Sequence, residues 1–376
     1  MKNAFFKARW LSLIIISLTF TLLLSGLEVN AAAINEENET EAFSETIEAA
    51  NVGNSDNIKV GSRFYELIFG KKENKDKIML CPSGDAFGIY IKEDGVTVCH
   101  SECEKILTGD RIIKIGSKEC FECEDVYEAV RQSGGAPLKI TLIRNSAEEC
   151  ITAAPKYQDG EYKLGITLRS QSAGIGTVTF VDPTSLSFGG LGHAVSDAET
   201  GSPVSVRMGF ASKVTLGPCK KGMPGKAGEL SGILSRNSIG SIDKNTECGV
   251  FGKLDALPEG ISEPIPICKK AEVKAGEAEI ISTIKNGKTA RYKIEITDID
   301  YSSDGSKSFK IKVTDPTLIS LTGGIVRGMS GSPIIQDGKF VGAVTHVLVA
   351  DPTEGYGIFI ENMLSAAQSE ATPKAA

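Results

Sequence analysis

The sequence predicts a mainly β protein with two folded parts: a small α+β unit followed by a larger all-β unit. Two observations carry that expectation. Across residues 155–366, short apolar runs recur, each broken by Gly, Pro, Asn or Asp, as in a sandwich or barrel. Across residues 60–150, the order is strand, Gly-Asp strand, one helix and a closing strand. A chain of 376 residues has room for both cores once its ends are set aside.

The ends read differently from the middle. Lys2, Lys7 and Arg9 precede an uncharged apolar run from Trp10 to Leu27, and Val29-Asn30-Ala31 follows. A positive flank, an apolar stretch and small residues at the expected cleavage positions mark residues 1–32 as a secretory signal or single membrane anchor. The expected location is therefore extracytoplasmic, secreted or anchored. Residues 33–59, rich in Glu, read as an acidic solvated linker, and residues 367–376 as a flexible tail. Charged residues make up 24% and the formal net charge is −7, without a Lys/Arg block, which excludes a phosphate-gripping surface and with it nucleic acid as a partner.

Within the small unit, Phe87-Gly88-Ile89-Tyr90-Ile91 reads as a strand and Gly95 as a turn into Val96-Thr97-Val98. Gly109-Asp110 opens the strand Arg111–Ile115. Glu124 to Gln132 places Val126, Ala129 and Val130 at helical spacing, and Leu138 to Ile143 alternates as the closing strand. This order resembles a PDZ domain. The resemblance implies that Pro82-Ser83-Gly84-Asp85-Ala86-Phe87-Gly88 is a carboxylate-binding loop. Its backbone N–H groups would receive a peptide C-terminus or a sheet-edge peptide, with Gly84, Asp85, Ala86, Phe87 and Gly88 as contacts.

In the larger unit the strands are 176–181, 278–284, 292–296 and 309–313, and only 360–368 reads as helical. Nine cysteines include Cys99-x3-Cys103 and Cys120-x2-Cys123, near zinc-site spacing, with His100 beside them. They fall inside a unit with its own apolar pattern, so the expectation is no metal site, with a disulfide or free thiols as the alternatives.

The chemistry concentrates near the C-terminus, in Arg327-Gly328-Met329-Ser330-Gly331-Ser332-Pro333. It resembles the Gly-Asp-Ser-Gly-Gly-Pro loop of trypsin-like serine peptidases. A nucleophilic serine on a tight turn needs neighbours with backbone freedom and little bulk. The N–H groups of Gly328 and Ser330 can then converge as an oxyanion hole. A general base has three candidates, because the chain has three histidines. His193 lies among Gly189-Gly190-Leu191-Gly192, free to face a cleft, whereas His346 lies on a strand and His100 in the small unit. For an orienting carboxylate, Asp315 and Asp197 are nearly level on spacing, and Asp182 before Pro183 reads as turn chemistry.

Ser172–Phe180, Leu191–Asp197, Lys244–Gly252 and the long block from Gly324 to Ile358 together resemble the stage IV sporulation protein B peptidases. That resemblance implies a trypsin-like double barrel with the triad His193, Asp315 and Ser330, and no cofactor. It further implies an endopeptidase that trims itself and cuts the extracytoplasmic part of a membrane regulatory complex, releasing an intramembrane protease that activates a late sigma factor. Ile166, Thr167 and Ser170 depart from the family pattern, as does the cysteine cluster. The alternative is a tethered PDZ scaffold with an inactive peptidase domain.

Overall fold

The computed structural model describes residues 78–285 and 287–369. The expected targeting segment and acidic linker lie outside the described residues, as does the tail beyond Ser369. The chain enters with β1 (Met79–Pro82) and a sixteen-residue strand, β2 (Ala86–Ser101). Next come β3 (Arg111–Ile115), β4 (Lys118–Glu119), helix α1 (Cys123–Gln132), β5 (Leu138–Arg144) and β6 (Ala147–Ala153). A hairpin of β7 (Lys156–Gln158) and β8 (Glu161–Lys163) leads to a second sixteen-residue strand, β9 (Ile166–Val181). Then follow β10 (Ser187–Gly190), β11 (Met208–Leu216), β12 (Gly232–Thr246), β13 (Gly249–Leu254) and β14 (Ile265–Pro266).

Strands β9, β10, β13, β12, β11 and β2 pair in that order, and β2 pairs back onto β9, so the first barrel closes. Its core is Phe87, Ile89, Ile91, Val178, Phe188, Ala211, Ile242 and Val250. The second barrel uses β15 (Gly276–Lys285), β16 (Lys288–Ile299), β17 (Phe309–Val313), β18 (Pro333–Gln336), β19 (Lys339–Val347) and β20 (Glu354–Phe359). These close in the order β15, β16, β17, β20, β19, β18. Helix α2 (Pro316–Thr322) lies between β17 and β18, and α3 (Ile360–Gln368) ends the fold. A third buried cluster joins the barrels: Leu80, Phe180 and Phe251 from the first meet Ile281, Phe340 and Ile358 from the second, with Ile360 and Met363 of α3.

The small unit is an insertion, which corrects the expected boundary at residue 150. β2 does not end at Gly95. Phe87, Ile89 and Ile91 face the barrel core, whereas Val96 and Val98 face the small unit's core. That phase change follows from a register shift against β9 between Lys92 and Thr97, with Gly95 at φ +115. An irregularity of this kind turns the strand's apolar side over without breaking it. Ile166 and Leu168 of β9 likewise pack on the small unit, while Val178 and Val181 pack in the barrel. Residues between these half-strands, with α1 burying Val126 and Val130, thus form a module set into the first barrel.

The same topology overturns the carboxylate-loop expectation for 82–88. Ser83 N–H donates to Thr179 O (3.1 Å) and Gly84 N–H to Val178 O (2.9 Å), so these donors are already used. Asp85 O accepts from Val178 N–H, and Gly84 O accepts from Thr283 Oγ1 at 2.9 Å. Ala86, Phe87 and Gly88 begin β2, and Phe87 is 1% exposed in the barrel core. The segment is a junction between barrels, not a peptide receptor. Gly84 has φ +86, and a Cβ there would meet Ile281 Cγ2 at 2.6 Å and its carbonyl oxygen at 2.8 Å. Gly84→Ala is therefore expected to lower stability by roughly 2 kcal/mol or more, read by denaturant unfolding. A stable variant that had only lost peptide binding would restore the receptor-loop reading.

Candidate active site

The site lies where the segment between α2 and β18 meets β9. Gly328 and Gly331 both sit at φ +97, a region only glycine enters without strain. A Cβ on Gly331 would fall 2.1 Å from Thr177 O, so the absent side chain is what lets the loop reach the first barrel.

Arg327 N–H donates to Gly228 O, and Leu230 N–H donates to Arg327 O. Gly328 O accepts from Thr177 Oγ1 at 2.8 Å. Met329 N–H reaches Val326 O, and Met329 O accepts from Ser332 N–H. Ser330 O accepts from Thr177 N–H at 3.0 Å, and Gly331 N–H donates to Val344 O at 2.8 Å. Gly331 O accepts from Thr179 Oγ1 (2.8 Å) and Ser332 O from Val344 N–H (2.9 Å). From Arg327 to Ser332, only the N–H groups of Gly328 and Ser330 lack an acceptor among the described residues. Partly buried donors without partners are uncommon, and these are the two that an oxyanion hole requires.

Ser330 Oγ donates to Thr345 O at 2.7 Å. Ser332 is fully buried with Oγ on Ser282 Oγ at 3.0 Å, which removes it as a competing nucleophile. His193 follows the left-handed pair Leu191 (φ +66) and Gly192 (φ +68), a sharp turn at the end of β10. Its Nδ1 lies 2.8 Å from Ala194 O, which makes Nδ1 the protonated nitrogen and leaves Nε2 as an acceptor. Burial holds the His193 imidazole below its ordinary value, opposed by the Ala194 carbonyl and the charge of Glu247 on the β12–β13 turn. That turn is tied to the histidine loop by Asn245, whose side-chain amide bonds Val195 N–H, Val195 O and Val204 O, each at 2.8 Å.

The ring of His346 lies 4.9 Å from that of His193, centroid to centroid. Its Nδ1 is buried without a partner among the described residues. Burial, then His193 and Lys307, push its pKa down to about 4. His100 is exposed in the module.

The structure does not bring the expected acid to the base. The Asp315 carboxylate is the N-cap of α2, accepting from Thr317 N–H (2.8 Å) and Leu318 N–H (3.1 Å), and from Lys293 N–H at 3.3 Å. Asp-Pro at a helix start is a capping signature, and here the cap uses the carboxylate. Asp197 instead caps its own turn through Glu199 and Thr200 and pairs with Arg169. Asp182 holds the turn at Thr184 and Ser185. Thr177, Thr345, Glu247 and Asn245 were not legible as site residues. A strand threonine and a turn amide look alike whether or not they touch a distant loop.

The nine cysteines are unpaired thiols. Cys120 is buried in the module core, which raises its pKa to about 11, and Cys103 and Cys123 pack at the edge of that core. No group of three or more His, Cys, Asp or Glu among the described residues is placed to hold a metal ion.

Two closed β-barrels with a glycine-flanked serine at their junction define a serine peptidase. The chain belongs to the SpoIVB peptidase S55 family, whose pattern matches residues 160–364. Among solved structures, the active form of the Rv3671c protease from M. tuberculosis is similar at 11% identity and TM-score 0.32, over 53% of this chain and 76% of that one. The inactive form of the Rv3671c protease is similar at 11% identity and TM-score 0.29, over 52% of this chain and 85% of that one. No curated protein matches.

Two predictions follow from this geometry. Asp315→Asn keeps a capping acceptor, so fluorophosphonate labelling should stay within about threefold of wild type, whereas a relay acid would show a loss of order 10⁴. His346 binds its proton more weakly folded than unfolded, so stability should fall as pH drops from about 6.5 to about 4 and level off below. His346→Asn should flatten that stretch of the unfolding curve.

Proposed function

We propose that this chain is an endopeptidase in which Ser330 is the nucleophile, His193 the general base, and the Gly328 and Ser330 N–H groups the oxyanion hole. The observation that carries the reading is the pair of N–H groups that lack an acceptor among the described residues in an otherwise bonded loop. In the reaction, Ser330 Oγ turns from Thr345 O towards His193 Nε2 and attacks the scissile carbonyl carbon. The hydroxyl proton passes to Nε2, and the carbonyl oxygen takes negative charge between the two N–H groups. The imidazolium then protonates the leaving amine. A water, deprotonated by the same nitrogen, cleaves the acyl-enzyme. The Ala194 carbonyl orients the ring, the role an Asp fills in the usual triad.

The family, together with the cationic flank and apolar run of residues 1–32, supports a finer reading. In it, the enzyme works outside the cytoplasm, secreted or membrane-anchored, and by family between the forespore and mother-cell membranes. It trims its own N-terminal region and cuts the extracytoplasmic part of a membrane regulatory complex. That cut relieves an intramembrane protease that activates a late sigma factor. Recruitment of a substrate peptide falls to the inserted module rather than to 82–88. An open cleft of about 300 Å³ between α1 and β8–β9, lined by Val126, Val130, Tyr162 and Leu164, is available there.

Purified residues 33–376 should label with a fluorophosphonate and trim their own N-terminal fragments by mass spectrometry. Ser330→Ala should lose both by 10³-fold or more, and Ser332→Ala should still label. Because the active base is neutral His193 with a depressed pKa, the labelling rate should rise with pH through a midpoint below about 6.5. Equal labelling of wild type and Ser330→Ala would overturn the assignment.

A further inference from the structure

Thr177 uses every polar atom it has on the two loops that carry the chemistry. Its N–H donates to Ser330 O at 3.0 Å, and its Oγ1 donates to Gly328 O at 2.8 Å. Its carbonyl accepts from Leu191 N–H at 3.3 Å, two residues before His193. The residue is 1% exposed on β9, in the first barrel, while the nucleophile belongs to the second.

We infer that Thr177 is the positioning residue that sets the nucleophile loop and the histidine loop in register, through its hydroxyl bond to the Gly328 carbonyl. This rests on the reading of Ser330 as nucleophile. The peptide group from Gly328 to Met329 is held at both ends, its carbonyl by Thr177 Oγ1 and its N–H by Val326 O. That peptide links the two donors, because Gly328 N–H lies on the peptide before it and Ser330 N–H on the peptide after it. Turning it about the Gly328 Cα–C bond would change their relative direction, and Gly328 at φ +97 has no side chain to resist. The hydroxyl bond resists this from the first barrel, and the Met329 N–H bond to Val326 O resists it from within the loop. It bridges two barrels, so it also fixes how far the base stands from the nucleophile. Leu191, a bulky residue at φ +66, is kept in that strained conformation partly by its N–H bond to Thr177 O. The same residue therefore holds the oxyanion donors and the turn that presents the imidazole.

Thr177→Val replaces the hydroxyl by a methyl of similar size, and Thr177→Ser keeps the hydroxyl and drops the methyl. Labelling by a fluorophosphonate separates binding (KI) from bond formation at the oxyanion hole (kinact). With wild type labelling and Ser330→Ala silent in the same assay, the nucleophile reading stands on its own. Failure of that control would sink the reading and not bear on Thr177 separately. Thr177→Val should then lower kinact tenfold or more with KI within about threefold, and Thr177→Ser should return kinact to within about threefold of wild type. Turnover of fluorescent casein should follow kinact. Retention of kinact in Thr177→Val, a loss confined to KI, or an equal loss in Thr177→Ser would each overturn the inference. Should Thr177→Val not fold by circular dichroism, Thr177→Cys, a weak donor, should show an intermediate kinact, and wild-type kinact there would overturn it.

Discussion

The structure turns on the close approach of β9 to the serine loop. Two barrels can pack on an apolar seam in many orientations, because burial is non-directional. Leu80, Phe180, Phe251, Ile281, Phe340 and Ile358 supply that seam here. What fixes one orientation is a set of hydrogen bonds from Thr177 and Thr179 to Gly328, Ser330 and Gly331. Each contributes about 1 kcal/mol net, but leaving any buried partner unsatisfied costs roughly 1–3 kcal/mol. That asymmetry punishes a slipped interface more than it rewards the correct one. The glycine at 331 follows from it, since a Cβ there would stand 2.1 Å from Thr177 O and part the barrels.

The same strand explains why the module is not a bead on a linker. β2 and β9 each run sixteen residues and serve two cores in turn. Polar ties reinforce the shared strands. Arg111 of the module donates to Ser205 at 2.6 Å, Arg207 stacks 3.7 Å over the Phe121 ring, and Arg169 pairs with Asp197 and Glu199 just beyond His193. Exposed pairs contribute little to stability. Asp197, only 7% exposed, is different, because its partner leaves it no water to fall back on. Arg169 thus anchors the far side of the histidine loop to the strand whose other end holds Ser330.

How much of this was legible follows from the kind of signal each feature leaves. The serine loop and the histidine turn announce themselves through glycines, because tight turns need residues without Cβ, and both do meet at Thr177. The second barrel was equally plain, with β17 and α3 falling on the expected residues. The module boundary was not, because Gly95 at φ +115 reads the same in a bulged strand as in a hairpin turn. Which one occurs depends on β9, some seventy positions away. Asp315 was ambiguous for a related reason. Asp-Pro-Thr suits a strand-to-loop corner and a helix cap equally, and the seven-residue α2 is too short to show a periodicity that would decide. The carboxylate-loop expectation failed on partners rather than pattern. Gly84 has the freedom such a loop needs, yet its N–H is already bonded to Val178 O.

In the proposed mechanism, one exchange of hydrogen-bond partner precedes attack by Ser330, and its size can be bounded. Ser330 Oγ donates to Thr345 O rather than to His193. The loop's other backbone groups are bonded, and among the described residues the Gly328 and Ser330 N–H groups have no acceptor. In the proposed mechanism the hydroxyl exchanges its bond to Thr345 O for one to His193 Nε2. A neutral bond contributes about 0.5–1.5 kcal/mol, so the resting orientation is favoured by roughly a factor of ten at most. A bound peptide whose carbonyl oxygen engages Gly328 and Ser330 N–H can supply more than that. On the proposed assignment, the resting state would then differ from the reactive one at the Ser330 hydroxyl, while the two N–H groups proposed to receive the oxyanion stay in place.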